Sequence, residues 1–270
     1  MTKNRIQILK EKMLSQPRYV SIEQALIITK TYKQHENEPI ILKRAYALAN
    51  ALRELEIGIE NEELIVGNRT KGVRYGVVFP ESGISWVDRE FETISTRKQD
   101  KFLVRDEDIK IFREQIVPYW KGKSLEDVIK QNFGKEISAI NKVVKINQTD
   151  HAQGHICPNV EKWLQKGVSG LLEDAQNHYK NADEDKKNFY QAIIIVMKAV
   201  QNFMLRYHDL LIATAKDDEK NRASLIKVAD ICKNISQRPP QTFHEAVQAT
   251  WFLFVILHME SNASSFSPGR

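Results

Sequence analysis

The stretch RPPQTFHEAVQATWFLFVILHMESNASSFSPGR, residues 238–270, decides the fold. Prolines precede Thr242, and threonine is a residue type that accepts hydrogen bonds from the free N–H groups at a helix start. A helix is therefore predicted to begin after Thr242, and its last two turns are almost wholly apolar. A helix that is apolar on all sides must be covered on all sides. Little sequence follows it, so the pattern predicts covering partners beyond these residues.

Length and composition predict one domain, or part of one. The chain has 270 residues, of which 42% are hydrophobic, and it shows no internal repeat and no linker rich in Pro, Gly or Ser. Its 40 Lys and Arg residues against 35 Asp and Glu residues give a net charge of +5, but the two signs are interspersed. Nucleic-acid binding usually needs a concentrated basic patch. A solvated helical surface is the better interpretation, and no nucleic-acid partner is expected.

The cysteines and the apolar runs indicate a cytoplasmic protein. Cys157 and Cys232 are the only two cysteines, too few for a disulfide framework. The first residues alternate charged with apolar side chains and contain no continuous apolar core of a signal peptide. No apolar run approaches the roughly 20 residues that cross a bilayer. We therefore expect a reducing compartment and no membrane partner.

Helical periodicity dominates the chain, and Ser21 with Gln24 is a candidate capping box for the second helix. The interval 63–83 contains four of the eleven glycines and predicts a strand with turns, and VVKIN, residues 143–147, also resembles a strand. The predicted helices span residues 3–15, 21–33, 39–55, 86–93, 106–120, 124–131, 159–179, 183–217, 219–235 and 243–260.

Two segments contain residue types that could carry chemistry. In DHAQGHICP, residues 150–158, His151 and His155 lie four apart and could bind zinc, and Cys157 could be a nucleophile. No second ligand cluster or oxyanion signature accompanies them, so a polar loop with one structural histidine is the main alternative.

The second segment is VGNRTKGVRYG, residues 66–76, which has glycines and bases but matches no phosphate-binding motif. Its glycines are expected to permit turns. Its basic side chains, Arg69, Lys71 and Arg74, are expected to pair with acids such as Glu81.

Several segments, taken in order, resemble a known family. These are ELIVGN (63–68), FPE (79–81), ISWVDREFETISTRKQDKF (84–102), GHICPNVEKWLQKGVSGL (154–171) and the stretch quoted first. They are similar to the N-terminal region of glycyl radical enzymes, in the pyruvate formate-lyase-like branch that includes glycerol and diol dehydratases and choline trimethylamine-lyase. The resemblance covers essentially all 270 residues.

The resemblance implies a fold and an incomplete active site. The expected fold is α/β, predominantly helical in this segment, and it forms the N-terminal part of a ten-stranded α/β barrel. Residues 1–270 would be a single, incomplete domain. In the family, the loop with the thiyl cysteine and the glycyl radical loop come later in the chain. Cys157 and Cys232 do not match that cysteine loop, so we expect a truncated or split enzyme that is inactive alone and has no catalytic residue of its own.

The resemblance also implies substrate-binding residues. His155 matches a substrate-contacting histidine, with a structural loop histidine as the alternative. Ser264 and Ser265 match a cavity pair that reads His-Ser in glycerol dehydratase-like members, so a glycerol or propanediol substrate is in doubt. Asn262 is a further candidate, although its role and that of Arg270 are interpreted first as structural.

The expected cofactors and partners follow from the family. This chain binds no metal and no cofactor, whereas the complete enzyme needs a glycyl radical installed by an S-adenosylmethionine iron–sulfur activating enzyme. The complete enzyme would cleave a C–O, C–N, C–S or C–C bond of a small polar substrate. The expected partners are that activating enzyme, a C-terminal complementing chain and further copies of this one. The alternative is a non-catalytic subunit or binding module that complements a separately encoded C-terminal part.

Overall fold

The computed structural model describes residues 4–60, 62–144, 154–261, 263 and 265–269. Its helices are α1 (Arg5–Ser15), α2 (Glu23–Gln34), α3 (Ile40–Glu54), α4 (Ser85–Glu90), α5 (Asp106–Ile111), α6 (Val117–Trp120), α7 (Leu125–Ile140), α8 (Val160–Lys180), α9 (Glu184–Asp217), α10 (Arg222–Gln237) and α11 (Phe243–Glu260). One turn of π-helix, Phe112–Ile116, joins α5 to α6. The strands are β1 (Tyr19–Ser21), β2 (Tyr75–Val77), β3 (His155–Ile156) and β4 (Ser265–Phe266). The fold is α/β and predominantly helical, which confirms the prediction.

The longest helix, α9, lies at the centre of the main hydrophobic core. It has 34 residues, which corresponds to about 51 Å, and it packs against α3, α8 and α10. Phe203 and Tyr207 of α9 are fully buried and make ring contacts with Phe252 of α11, with centroids 5.8 and 5.6 Å apart. The Tyr207 hydroxyl accepts the N–H of Asn68 at 2.9 Å. These contacts attach the glycine-rich interval to the helices.

A second core cluster joins α2 to the segment that contains β2, α4 and the π-helical turn. Trp120 is buried in it, and its indole N–H donates to the hydroxyl of Thr29 at 2.8 Å. The ring of Tyr32 lies 5.1 Å from that of Trp120. Ala47 of α3 belongs to the same cluster, so α3 connects the two cores.

The four strands form two separate parallel pairs. β1 pairs with β2 in the register Tyr19 to Tyr75, and β3 pairs with β4 in the register His155 to Ser265. Parallel strands need a crossover connection rather than a tight hairpin. Here long helical segments supply both connections.

Helix α11 begins as the sequence predicts. The Thr242 hydroxyl accepts the N–H of Glu245 at 3.2 Å, and the Glu245 carboxylate accepts the N–H of Thr242 at 3.3 Å. This is a capping box, which satisfies two of the free N–H groups. Half of the helix residues are buried, whereas Phe243, Val247 and Trp251 are 86%, 37% and 38% exposed. Because these residues recur every four positions, they form one apolar stripe, the α11 outer face.

Exposed apolar stripes of this kind favour association between molecules. We predict that Phe243→Glu lowers self-association of the purified 270-residue chain, since it places a charge on the most exposed residue of the α11 outer face. Light scattering at increasing concentration measures the effect. Phe189→Glu is the matched control, because Phe189 is 51% exposed on α9, away from this face. A wild-type chain that stays monomeric at every concentration would contradict the prediction.

Three local predictions need correction. The capping box of Ser21 with Gln24 is wrong, because Ser21 belongs to β1 and the N-cap position of α2 is Ile22. Residues 143 and 144 form a turn and not a strand, and the rest of VVKIN lies outside the described residues. Helix α7 extends to Ile140, nine residues past its predicted end. The prediction for α8 is confirmed within one residue at each end, and the helix is kinked at Gly167, which has φ +61°.

None of the helices in the described ranges is long and apolar enough to cross a membrane.

Candidate functional site

The β3–β4 pair brings two of the predicted site residues together. His155 and Ser265 are direct partners across the parallel ladder, although about 110 positions separate them in the chain. A further hydrogen bond, from the N–H of Ser267 to the carbonyl of Ile156 at 2.8 Å, continues the pairing. The structure therefore places the two motifs GHICP and ESNASSF side by side.

The ladder has one polar and one apolar face. Side chains alternate across a strand, and directly opposed residues of a parallel pair share a face. Ile156 and Phe266 lie on the apolar face, where the ring of Phe266 contacts Phe254 of α11 at 5.6 Å between centroids. His155 and Ser265 lie on the other face, and His155 is exposed. This face therefore carries an exposed imidazole beside a serine hydroxyl.

The hydroxyl of Ser265 is buried and has no hydrogen-bond partner within the described part of the chain. A buried polar group without a partner costs about 1–3 kcal/mol, so it is a place where a ligand or water is expected. Asn262 and Ser264, the other two predicted site residues, lie outside the described residues, as does Arg270.

Two helices position this ladder. β3 leads into α8, whose N-cap Asn159 accepts the N–H of Lys162 at 2.9 Å, and β4 follows the end of α11. The indole N–H of Trp163 donates to the carbonyl of Ala249 at 2.9 Å, which joins α8 to α11. Because both helices are fixed to each other, the strands that extend from them meet.

The two cysteines have different environments. Cys157 is exposed, two residues after His155. Cys232 is buried in the main core, and burial raises the pKa of its thiol to about 12. At neutral pH it is therefore protonated and unreactive, since the thiolate is the nucleophile. The described residues contain no group of three or more His, Cys, Asp or Glu side chains that could hold a metal ion, and His151 lies outside them.

The basic residues of the glycine-rich interval were predicted to pair with acids such as Glu81. In the described part of the chain, none of the three pairs with Glu81. Lys71 pairs with Glu56. Arg74 donates to main-chain carbonyls at the end of α1, the shortest contact being 2.7 Å to Gln16. Arg69 donates to the carbonyl of His258 at 3.3 Å. These side chains therefore hold the fold together and do not form a phosphate cradle.

A cluster of charged residues at the end of α11 was missed by sequence reasoning. Arg44 of α3 pairs with the carboxylate of Glu260. Glu81, from the FPE motif, faces the same pair, and burial raises the pKa of its carboxyl. All three line a small cavity of about 20 Å³. The only signal for this cluster in the sequence was that Glu81 and Glu260 both lie inside family-like motifs.

A larger cavity of about 510 Å³ lies elsewhere, between α1, the interval 58–73 and Trp251. Glu63 lies in its wall, and burial raises the pKa of that carboxyl to about 7. Neither His155 nor Ser265 lines it. The volume of a cavity alone therefore does not identify the site that the motifs indicate.

Comparison with solved structures defines the class of protein. The fold matches that of a glycerol-bound, B12-independent glycerol dehydratase from Clostridium butyricum, with a TM-score of 0.92, 31% identity, and coverage of 100% of this chain and 36% of the other. A structure from Roseburia inulinivorans, described for 1,2-propanediol dehydration, matches with a TM-score of 0.92 at 30% identity, covering 100% of this chain and 35% of that one. A glycyl radical enzyme from Archaeoglobus fulgidus matches with a TM-score of 0.89 at 32% identity, covering 96% of this chain and 34% of that one. The chain thus has the fold of the N-terminal portion of glycyl radical enzymes.

The family model for pyruvate formate lyase-like proteins matches residues 1–270, and the chain belongs to this family. A probable dehydratase, YbiW, of Escherichia coli K12 is 33% identical over 93% of this chain and 32% of its own length. A (2S)-3-sulfopropanediol dehydratase of Klebsiella oxytoca is 28% identical over 98% of this chain and 34% of its own length. The chain spans about a third of the length of the curated relatives that it matches.

Proposed function

We propose that these residues form the N-terminal part of a glycyl radical lyase or dehydratase that acts on a small polar substrate by C–O, C–N, C–S or C–C cleavage. The chain would supply part of the substrate-binding wall. The observation that carries the proposal is the direct pairing of His155 with Ser265, which joins two family-like motifs. Names of the relatives support the reaction class, because they include dehydratases and a sulfite-lyase.

The contribution of this chain is binding and orientation. No glycyl radical motif is found among its eleven glycines, and the buried, protonated Cys232 does not suit a thiyl role. We therefore derive no radical step from these residues. His155 and Ser265, together with Ser264 and Asn262, would hold substrate hydroxyl or anionic groups by hydrogen bonds. Imidazole and hydroxyl groups both donate and accept such bonds, so they can orient a polyol, carboxylate or sulfonate.

The pair Ser264–Ser265 bears on substrate choice. Glycerol dehydratase-like members carry His-Ser at these positions, and Ser-Ser removes one imidazole from the substrate wall. We therefore propose a substrate other than glycerol or propanediol. Two serine hydroxyls leave more space and no titratable group, which suits a bulkier or more polar substituent.

The proposal predicts that the 270-residue chain carries no radical by itself. When it is incubated anaerobically with a glycyl radical activating enzyme and S-adenosylmethionine, electron paramagnetic resonance should show no glycyl doublet, because the residues that accept the radical are not among these 270. A full-length relative activated in the same mixture is the positive control. A doublet from this chain would contradict the proposal.

A second candidate function is a non-catalytic subunit that complements a separately encoded C-terminal part. The exposed α11 outer face favours it, since a partner could cover Phe243, Val247 and Trp251. Nucleotide sequence beyond codon 270 distinguishes the cases. A separate reading frame with the cysteine and glycine loops supports the subunit, whereas a continuous frame supports a single enzyme. We place either form in the cytoplasm, as the low cysteine content suggests.

A further inference from the structure

The C-terminal turn of α11 is held by side chains from distant parts of the chain. The last four carbonyls of an α-helix have no partner within the helix. In α11, all four accept hydrogen bonds. The pairs are Ser261 N–H and Oγ to Leu257 O, both at 3.1 Å, Arg69 Nη1 to His258 O at 3.3 Å, Gln24 Nε2 to Met259 O at 3.0 Å, and Arg44 Nη2 to Glu260 O at 3.1 Å.

Three of these donors come from the N-terminal part of the chain. Gln24 lies on α2, Arg44 on α3, and Arg69 in the glycine-rich interval. We call these three residues the α11 clamp. All three donate to carbonyls of the last turn of α11, although 216 positions separate Arg44 from Glu260. The clamp therefore connects three N-terminal segments to one helix end.

The clamp also places two positive charges at the helix end where they are favourable. The C-terminus of a helix carries a partial negative charge, equivalent to about half an elementary charge. Arg44 is balanced in addition by the carboxylate of Glu260. Among the described residues, the Arg69 guanidinium donates to the His258 carbonyl and to no other group, and burial lowers its pKa. Keeping Arg69 partly buried costs free energy, which the contact with the helix end offsets.

The helix end is connected directly to the site. Four residues lie between Glu260 and Ser265, and the first of them, Ser261, is buried. β4 begins at Ser265, and both of its residues pair with β3. With so short a connection, the position of the last turn of α11 determines where Ser265 can lie.

We infer that Gln24, Arg44 and Arg69 are positioning residues, which hold the last turn of α11 and thereby keep Ser265 opposite His155. The inference rests on the proposed function for its meaning, since that function makes Ser265 a substrate-binding residue. In the described part of the chain, the clamp makes no hydrogen bond to His155 or Ser265. It acts through the main chain of residues 258–260.

Hydrogen–deuterium exchange of the purified chain tests the inference, with the amides of residues 261–269 as the readout. Arg69→Met keeps the apolar stem but removes the charge and the donor, and we expect about tenfold faster exchange there, the equivalent of one charge-assisted hydrogen bond. Arg69→Lys retains a cation and should restore most of the protection. The measurement needs no turnover, so its outcome is independent of the radical experiment.

The matched control is Arg206→Met. Arg206 is a partly buried arginine that donates to the carbonyls of Leu52 and Leu55, at 2.7 and 2.6 Å, and so caps the end of α3 in the same way. The Arg206→Met substitution should leave hydrogen exchange of the amides of residues 261–269 unchanged. A rise below threefold in Arg69→Met, or an equal rise in Arg206→Met, overturns the inference. Should Arg69→Met not fold, Gln24→Met is judged by the same criterion, because it removes the side-chain N–H that donates to the carbonyl of Met259.

Discussion

Gly167→Ala is expected to destabilise the chain by about 3 kcal/mol. Gly167 has φ +61° and ψ 179°, a region that is essentially restricted to glycine. A Cβ atom there would lie 3.0 Å from Cα and N of Pro239, and backbone atoms cannot move aside as a flexible side chain can. The substitution therefore adds a clash to backbone strain. The free energy of unfolding, measured by urea denaturation, gives the effect.

The same helix supplies the control. Gly170 has no positive φ, and a Cβ atom there would lie 3.2 Å from the Cβ of Lys166, with no main-chain atom of another segment in its way. Gly170→Ala should therefore be neutral or stabilise by up to about 1 kcal/mol, because alanine favours helix over glycine. Equal unfolding free energies for the two variants would show that the kink at Gly167 is not needed.

Glu245→Gln is expected to destabilise the chain by about 2 kcal/mol at pH 7. The Glu245 carboxylate accepts hydrogen bonds from Arg238 at 2.7 Å, from the N–H groups of Gln241 and Thr242, and from Asn234. These donors, led by Arg238, lower its pKa from 4.5 to about 2. The full shift corresponds to about 3 kcal/mol, and solvent screening at the partly exposed Arg238 reduces this value.

The pH dependence of this effect has a definite sign. Since the pKa in the folded state is lower than in the unfolded state, the stabilisation is present above about pH 4.5 and is lost as the pH falls toward 2. The difference between wild type and Glu245→Gln should therefore shrink from pH 7 to pH 3.5 in urea denaturation. Glu161→Gln, at an exposed first-turn position of α8, should change little at either pH. A difference that does not depend on pH would contradict the assignment.

Helices were predictable because their signals are local. The start of α11 was predicted from Thr242 alone, and in the structure Glu245, within the first turn, completes a capping box with it. The capping-box prediction at Ser21 was wrong for the opposite reason. Its hydrogen bonding is decided by β1 pairing with β2, more than fifty positions away, and that contact overrides the local preference for a helix cap.

The sequence indicated candidate site residues but not their geometry. His155 and Ser265 were found through family-like motifs, whereas two-residue strands such as β3 and β4 have no periodicity to detect. The clamp was missed for another reason. Arg69 has acids nearby in sequence, so an ion pair was expected, but its partner is a helix-end carbonyl that only the tertiary fold brings close.

The long separation between β3 and β4 has a kinetic consequence. Closing a connection of about 110 residues costs more chain entropy than the hydrogen bonds of a two-residue ladder can offset. The pair can therefore form only after α8 and α11 have docked. The ladder should thus be among the last parts to assemble and the first to open in the native ensemble. Such an opening would let a small molecule exchange without unfolding the helices behind it.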